Sequence, residues 1–172
     1  MKLLKEICHQ EGINRTGRTV SREAVRGIII NRGKLLMIYS EKNGDYKFPG
    51  GGIENGESHK SALIREIREE SGAKVIGGII PFGKVIEYDF AIEKEHDVFQ
   101  MTSYYFWCKV GASVSAQNLD QYEKDLGFVP VWVDIDTAIH QNIYVLANPH
   151  KKAPRWTKRD LEVLRHVKTD ME

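Results

Sequence analysis

Between residues 51 and 72, four glutamates, one arginine and two glycines stand at offsets that could hold a cation. Written as spacings, the run is Gly51, five residues, Glu57, seven residues, Arg65-Glu66-Ile67, one residue, Glu69-Glu70, one residue, Gly72. Like charges at i,i+4 destabilise a helix, and Glu66 and Glu70 form such a pair with Glu69 between them. A divalent cation removes that conflict, and hard cations such as Mg²⁺ take carboxylate oxygens. At 100° per residue, with Glu66 at zero, Glu70 falls at about 40° and Glu69 at about −60°. Leu63, Ile67 and Ile64 then span roughly 60° to 160° and form the apolar stripe. The acids therefore border the buried stripe, with Glu70 and Glu66 nearer to it and Glu69 pointing outward. The bland alternative is a solvated amphipathic helix with surface acids.

The elements that must hold these residues follow from pattern. The spacing predicts a helix from Ser58 to Ser71, with Ser58 as N-cap and Gly72 at the C-cap. Ala24 to Ile30 and Leu35 to Tyr39 read as strands joined in a hairpin through Asn31-Arg32-Gly33-Lys34. Tyr46 to Phe48 form a short strand into the glycines, after an Asn43-Gly44 turn. Residues 74–90 read as strands interrupted at Gly77-Gly78 and Pro81, and Phe99 to Val110 as the longest strand. Val129 to Val133 give another. Asp134 to Gln141 and Lys158 to about Lys168 read as helices. Residues 1–19 read as an N-terminal extension, a short helix followed by an extended arm, and 145–172 as a C-terminal helical segment. The whole, 1–172, reads as one domain.

The run at 51–73, with its lead-in Phe48-Pro49-Gly50, resembles the signature of the Nudix hydrolases, which it matches at every fixed position; Ala73 is a weak match at the closing apolar position. The resemblance implies an α/β (α+β) fold: an α/β/α sandwich with a mixed β-sheet and a loop–helix–loop catalytic motif. It implies hydrolysis of a nucleoside diphosphate linked to another group X, with Mg²⁺ or Mn²⁺ as cofactor. Carried over by position, Glu66, Glu69 and Glu70 would bind metal, with a further oxygen from the Gly51 carbonyl. Glu57 and Arg65 would tie the loop to the helix. A loop acid often completes such a site; Glu123 is favoured here, with Asp125 second. Glu66 or Glu123 would be the general base. A nucleotide or sugar-nucleotide sensor on the same fold is the alternative, although such proteins usually show gaps in the acidic run. An isopentenyl diphosphate isomerase ranks last, because Cys108 falls in a strand.

Outside the motif, two residues are candidates for substrate binding. Arg26 stands between apolar residues on the first strand and needs an anionic partner, an internal carboxylate or a phosphate. Tyr46 could stack on a base, whereas Phe48 reads as core. Of Tyr104, Tyr105, Phe106 and Trp107, alternation predicts two rings on each face of a strand. The formal net charge of +1 over 172 residues gives no basic excess for a nucleic-acid polymer. The expected partner is a small nucleotide-type molecule, with a homodimer left open. No apolar run is long enough to span a membrane, and MKLLKEICHQEG lacks a signal-peptide pattern. Cys8 and Cys108 are expected as free thiols in a cytoplasmic protein.

Overall fold

The acidic helix, α1 (His59–Ser71), starts and stops where its caps dictate. The Ser58 hydroxyl accepts a hydrogen bond from the Ser61 amide at 3.1 Å. Gly72 sits in the left-handed region at φ 69° and its N–H returns to the Arg68 carbonyl. A Cβ at Gly72 would collide with the Ser115 carbonyl, so both the conformation and the close approach require glycine. The structure, a computed structural model, describes residues 1–172.

α1 leads into a long hairpin of β6 (Ala73–Phe90) and β7 (Val98–Val114). The interruptions read at Gly77-Gly78 and Pro81 are bulges within one continuous strand: the register shifts between Val75 and Gly77, Gly77 and Ile80, and Pro81 and Gly83. A bulge absorbs an extra residue without ending the strand. β2 (Thr19–Ile28) pairs parallel with β7, and β1 (Leu3–Cys8) pairs parallel with β6, giving a mixed sheet ordered β1-β6-β7-β2. The extension was expected to start as a helix. It is a strand because β6 offers it an open edge, and its one buried side chain, Ile7, gives too little pattern to show a period.

The second sheet is antiparallel. β4 (Lys34–Ser40) pairs with β3 (Ile30–Asn31), β5 (Asp45–Lys47) and β8 (Phe128–Val133). The hairpin expected between the first two strands therefore joins two sheets: Ile29 is the crossing point, its carbonyl accepting from the Leu36 amide at 2.9 Å, and Ile30 and Asn31 pair with β4. Three further helices follow: α2 (Gln121–Asp125), α3 (Ile135–Ala147) and α4 (Arg155–Met171). None of the helices is long and apolar enough to cross a membrane.

Both faces of the mixed sheet are covered. Tyr105 and Trp107 pack into a core with Phe48, Met37, Val163 and Leu164, beneath α3 and α4. Tyr104 and Phe106 face the other way, into a core with Val25, Leu63 and Ile67 beneath α1. The alternation read in the aromatic run thus divides it between two cores, which is what a sheet between helical layers requires.

Candidate active site

The glycine loop is fixed first. The Gly27 amide donates to the Pro49 carbonyl at 2.8 Å, the Val25 amide to Gly51 at 3.0 Å and the Ile53 amide to Glu23 at 3.1 Å. These bonds lay residues 49–53 along β2. Gly50 has φ 139°, and a Cβ there would strike the Val25 carbonyl. A Cβ at Gly51 would collide with the Glu66 carboxylate. The two glycines therefore let the loop backbone and the α1 acids approach each other without a side chain between them.

Arg65 clamps this loop to the helix. Its Nε and Nη2 donate to the two Glu57 oxygens at 3.0 and 2.8 Å, and Nη2 also reaches the Gly52 carbonyl at 3.0 Å. Glu57 in turn accepts from the Glu54 amide at 3.2 Å, and Arg65 holds its carboxyl below the ordinary carboxylate range. The remaining Arg65 nitrogen donates to Glu66 at 2.7 Å and Glu69 at 3.1 Å.

The helical angles anticipate the burial of the acids. Side-chain exposure rises from 1% at Glu70 to 12% at Glu66 and 33% at Glu69. Glu70 pairs with the Lys47 ammonium, also buried, and accepts from the Gly50 amide at 2.8 Å. Burial pushes the Lys47 amine below its ordinary value against the pull of Glu70. Burial raises the Glu66 carboxyl, Arg65 opposes this, and the Glu70 charge adds to the rise.

Beside these groups lies a cavity of about 330 Å³. Gly50, Gly51, Lys47, Glu70 and Arg26 form one part of its lining, and Glu123 joins them from α2. The Glu123 carboxyl is pushed up to about 7, chiefly by burial and further by the charge of Glu70. It also closes a capping box with Asp120. Asp125 is exposed and bonds Gln121 at 2.8 Å. Arg26 has no carboxylate partner: one Nη donates to the Gly50 carbonyl, and its buried Nε is unbonded.

One expected residue sits otherwise than the sequence suggests, and the carbonyl of another already has a hydrogen-bond partner. Tyr46 faces away from the cavity, its ring 5.0 Å from Tyr39 and its backbone bonded to Asn142. Alternation along β5 sends Lys47 to the cavity instead. The Gly51 carbonyl is engaged by Val25, whereas the Gly50 carbonyl faces Arg26 and Lys47.

Sequence reasoning missed Lys47, whose only signal was a charge between two aromatics. It also missed a buried network from distant elements. Asp160 accepts from the Phe48 amide at 3.0 Å, the Tyr105 hydroxyl at 2.6 Å and Arg159 at 2.9 Å. Arg159 continues to Glu87 at 3.2 Å, and His9 closes on Glu87 at 3.0 Å. Asp45 accepts from Trp156 and Thr157 at 2.7 and 2.6 Å. The N-terminal part of α4 thus holds both ends of the segment that leads into the glycines.

No group of three His, Cys, Asp or Glu side chains converges at metal-ligand spacing. The reason is visible in the ion pairs: Arg65 draws Glu66 and Glu69, and Lys47 draws Glu70. The donor set is nonetheless all oxygen and strongly acidic, which suits a hard divalent cation.

Comparison with known proteins gives this arrangement a family. A family model described as the NUDIX domain matches residues 20–157. The chain is 34% identical over 101 residues to an RNA pyrophosphohydrolase of a Nitratiruptor species, covering 56% of this chain and 65% of that one. It is 31% identical over 113 residues to an RNA pyrophosphohydrolase of Campylobacter jejuni, covering 62% and 72%. The chain thus spans about two thirds of the length of these relatives, 65% and 72%. A solved NUDIX hydrolase from Nitrosomonas europaea superposes with a TM-score of 0.58 over 87% of this chain and 90% of that chain, at 20% identity. At that identity the likeness speaks to the fold. With the domain match spanning most of the sequence, the chain belongs to the Nudix hydrolase family.

Proposed function

We propose that the protein hydrolyses a pyrophosphate bond in a nucleoside diphosphate linked to a group X, using Mg²⁺ or Mn²⁺. The observation that carries this reading is that Glu70 and Glu123 line one cavity beside the Gly50–Gly51 backbone, with the Glu66 carboxylate packed against Gly51 behind them. Such negative charge is costly without a cation. Glu66, Glu69 and Glu70 would hold the metal. Its backbone oxygen would come from Gly51 or from the adjacent Gly50; both line the cavity, the first accepting from the Val25 amide and the second from Arg26. A bound Mg²⁺ would polarise a phosphoryl oxygen and acidify a water. Glu123, with its carboxyl raised to about 7, is well suited to accept a proton at neutral pH; Glu66, also raised, is the other candidate. Lys47 and Arg26 contribute fixed positive charge to the same lining and would face the phosphates. Glu57 and Arg65 hold the loop.

The cavity's other walls, with Phe99, Met101 and Phe128 among them, suit a nucleoside. The relatives' name, RNA pyrophosphohydrolase, favours RNA within the substrate class, and we take a 5′-triphosphate end as the part that would be cleaved. The balanced charge weighs against binding a polymer through its backbone, but a terminal triphosphate can be read inside the cavity. The test is a panel of nucleoside triphosphates, ADP-ribose, dinucleoside polyphosphates, sugar nucleotides and 5′-triphosphorylated RNA. Products are measured with Mg²⁺ and with excess EDTA: phosphate or pyrophosphate from the triphosphates, and the nucleotide and phosphomonoester products from the other compounds. Hydrolysis of at least one compound, lost in EDTA, is expected; undiminished hydrolysis in EDTA overturns the metal reading.

A further inference from the structure

The family match begins at residue 20, yet one wall of the cavity is built with residues before it. β1 runs parallel to β6 in the register Ile7↔Glu87 and Cys8↔Tyr88, and the His9 amide continues the ladder to the Tyr88 carbonyl at 3.0 Å. That register delivers the His9 ring to the cavity lining beside Glu87 and Asp89. It also brings Gln10 up behind them.

Both carboxylates of this wall are tied on each oxygen. Glu87 receives His9 on one oxygen at 3.0 Å and Arg159 on the other at 3.2 Å. Asp89 receives Gln10 at 2.8 Å on one oxygen and Arg155 at 2.6 Å on the other. Both carboxylates are therefore held in place by a pair of residues, one from the N-terminal segment and one from α4. Acids and bases on this wall balance nearly one for one, and its carboxylates would repel a phosphate. At the Gly50 end Lys47 and Arg26 stand beside Glu70 and Glu123, and these cations, with the metal that the acids would hold, suit a phosphate. A polar wall with apolar neighbours, the Phe99 ring and Met101, suits a neutral ring with donors and acceptors on its edge. One buried donor is still unpartnered there: Nη2 of Arg159 has no hydrogen bond.

We propose that the N-terminal segment selects the nucleobase, with His9 as the specificity-determining residue on the cavity wall and Gln10 as a positioning residue acting through Asp89. This rests on the reading that the cavity holds the nucleoside of the substrate. The experiment reads binding apart from hydrolysis. AMP, GMP, CMP, UMP and ribose 5-phosphate are titrated by calorimetry in EDTA into the full chain, His9→Leu and His9→Gln. Thermal melts accompany each variant.

At least one nucleotide is expected to bind more than fivefold tighter than ribose 5-phosphate. His9→Leu narrows the spread among the four bases at least fivefold and leaves ribose 5-phosphate within twofold. His9→Gln, which keeps a donor toward Glu87, retains most of the spread. An unchanged spread in His9→Leu overturns the proposal, as does an equal loss for ribose 5-phosphate, which marks a merely structural effect. If His9→Leu melts below the assay temperature, Gln10→Ala is read by the same criterion. A protein that hydrolyses the panel but keeps its base preference in these variants retains the proposed function and loses this inference. A protein that hydrolyses no compound of the panel with Mg²⁺ loses the proposed function, whatever it binds.

Discussion

The Lys47–Glu70 pair offers the sharpest test of how the site is held together without metal. Both side chains are nearly inaccessible, at 7% and 1%. Glu70→Gln keeps an acceptor for the Gly50 amide, 2.8 Å away, but leaves the Lys47 ammonium buried beside Arg26 with no anion. Breaking a buried pair from one side costs about 3–5 kcal/mol, whereas replacing both members by apolar groups is often neutral. In EDTA, Glu70→Gln and Lys47→Met should each lose about 3–5 kcal/mol, and the double variant Glu70→Gln/Lys47→Met markedly less than their sum. At roughly 2–4 °C per kcal/mol for a chain of this size, each single variant melts about 6–20 °C lower. The assay is a double-mutant cycle by denaturant unfolding in EDTA. Under saturating Mg²⁺, the turnover of Glu70→Gln should fall at least about a hundredfold, some 2.7 kcal/mol of barrier. Additive single-variant losses in EDTA refute the internal counter-ion reasoning. Near-normal turnover of Glu70→Gln refutes the metal role.

Other expectations are simpler to check. Mg²⁺ at about a hundred times its dissociation constant should stabilise the folded chain by about 2.7 kcal/mol, read as a rise in Tm that Glu66→Gln abolishes; an unmoved Tm counts against a cation site. Glu57→Gln should quicken hydrogen exchange across residues 52–57 more than it weakens Mg²⁺ binding, because Glu57 meets Arg65 and the Glu54 amide; slow exchange with lost metal affinity reverses that assignment. Burial opposes charge on Asp160 and Glu87, but Arg159 outweighs it and holds both carboxyls below their ordinary values. A depressed carboxyl contributes stability above its unfolded pKa and loses it as pH falls through the folded one. The stability gap between the natural chain and Asp160→Asn should therefore be widest near neutral pH and close below about pH 4; a gap independent of pH would show that the charge on Asp160 is not what matters.

What was legible in the sequence was whatever local periodicity carries. The helix and its caps, the order of burial of Glu70, Glu66 and Glu69, and the division of Tyr104 to Trp107 between two faces all follow from fixed angles per residue. Lys47 and Tyr46 show the limit of this. A three-residue strand has no periodicity to read, and only the packing of α3 against Tyr46 decides which side chain meets the cavity. The same holds for β1, whose strand conformation comes from the open edge of β6 rather than from its own residues. Which partner each loop carbonyl takes, Val25 for Gly51 and Arg26 for Gly50, depends on how the loop lies along β2, and no residue type records that.

The elements hardest to read from the sequence are also those that hold the acidic motif in place. Phe48, Gly50 and Glu70 are linked in a chain of bonds whose anchor is Asp160, 112 residues away from Phe48. Asp160 in turn is held by Arg159, and Arg159 by Glu87 and through it by His9. The signature thus supplies the charges, while β1, β6 and α4 supply the rigidity that lets buried like charges stay close. A group left free to move would relax away from its neighbours and lower the repulsion that a cation is needed to offset. Under the proposed function, separating the acids from the network that restrains them follows from chemistry: the reacting end needs the same carboxylates for any nucleoside diphosphate derivative, whereas the wall around the nucleobase needs different side chains for each base.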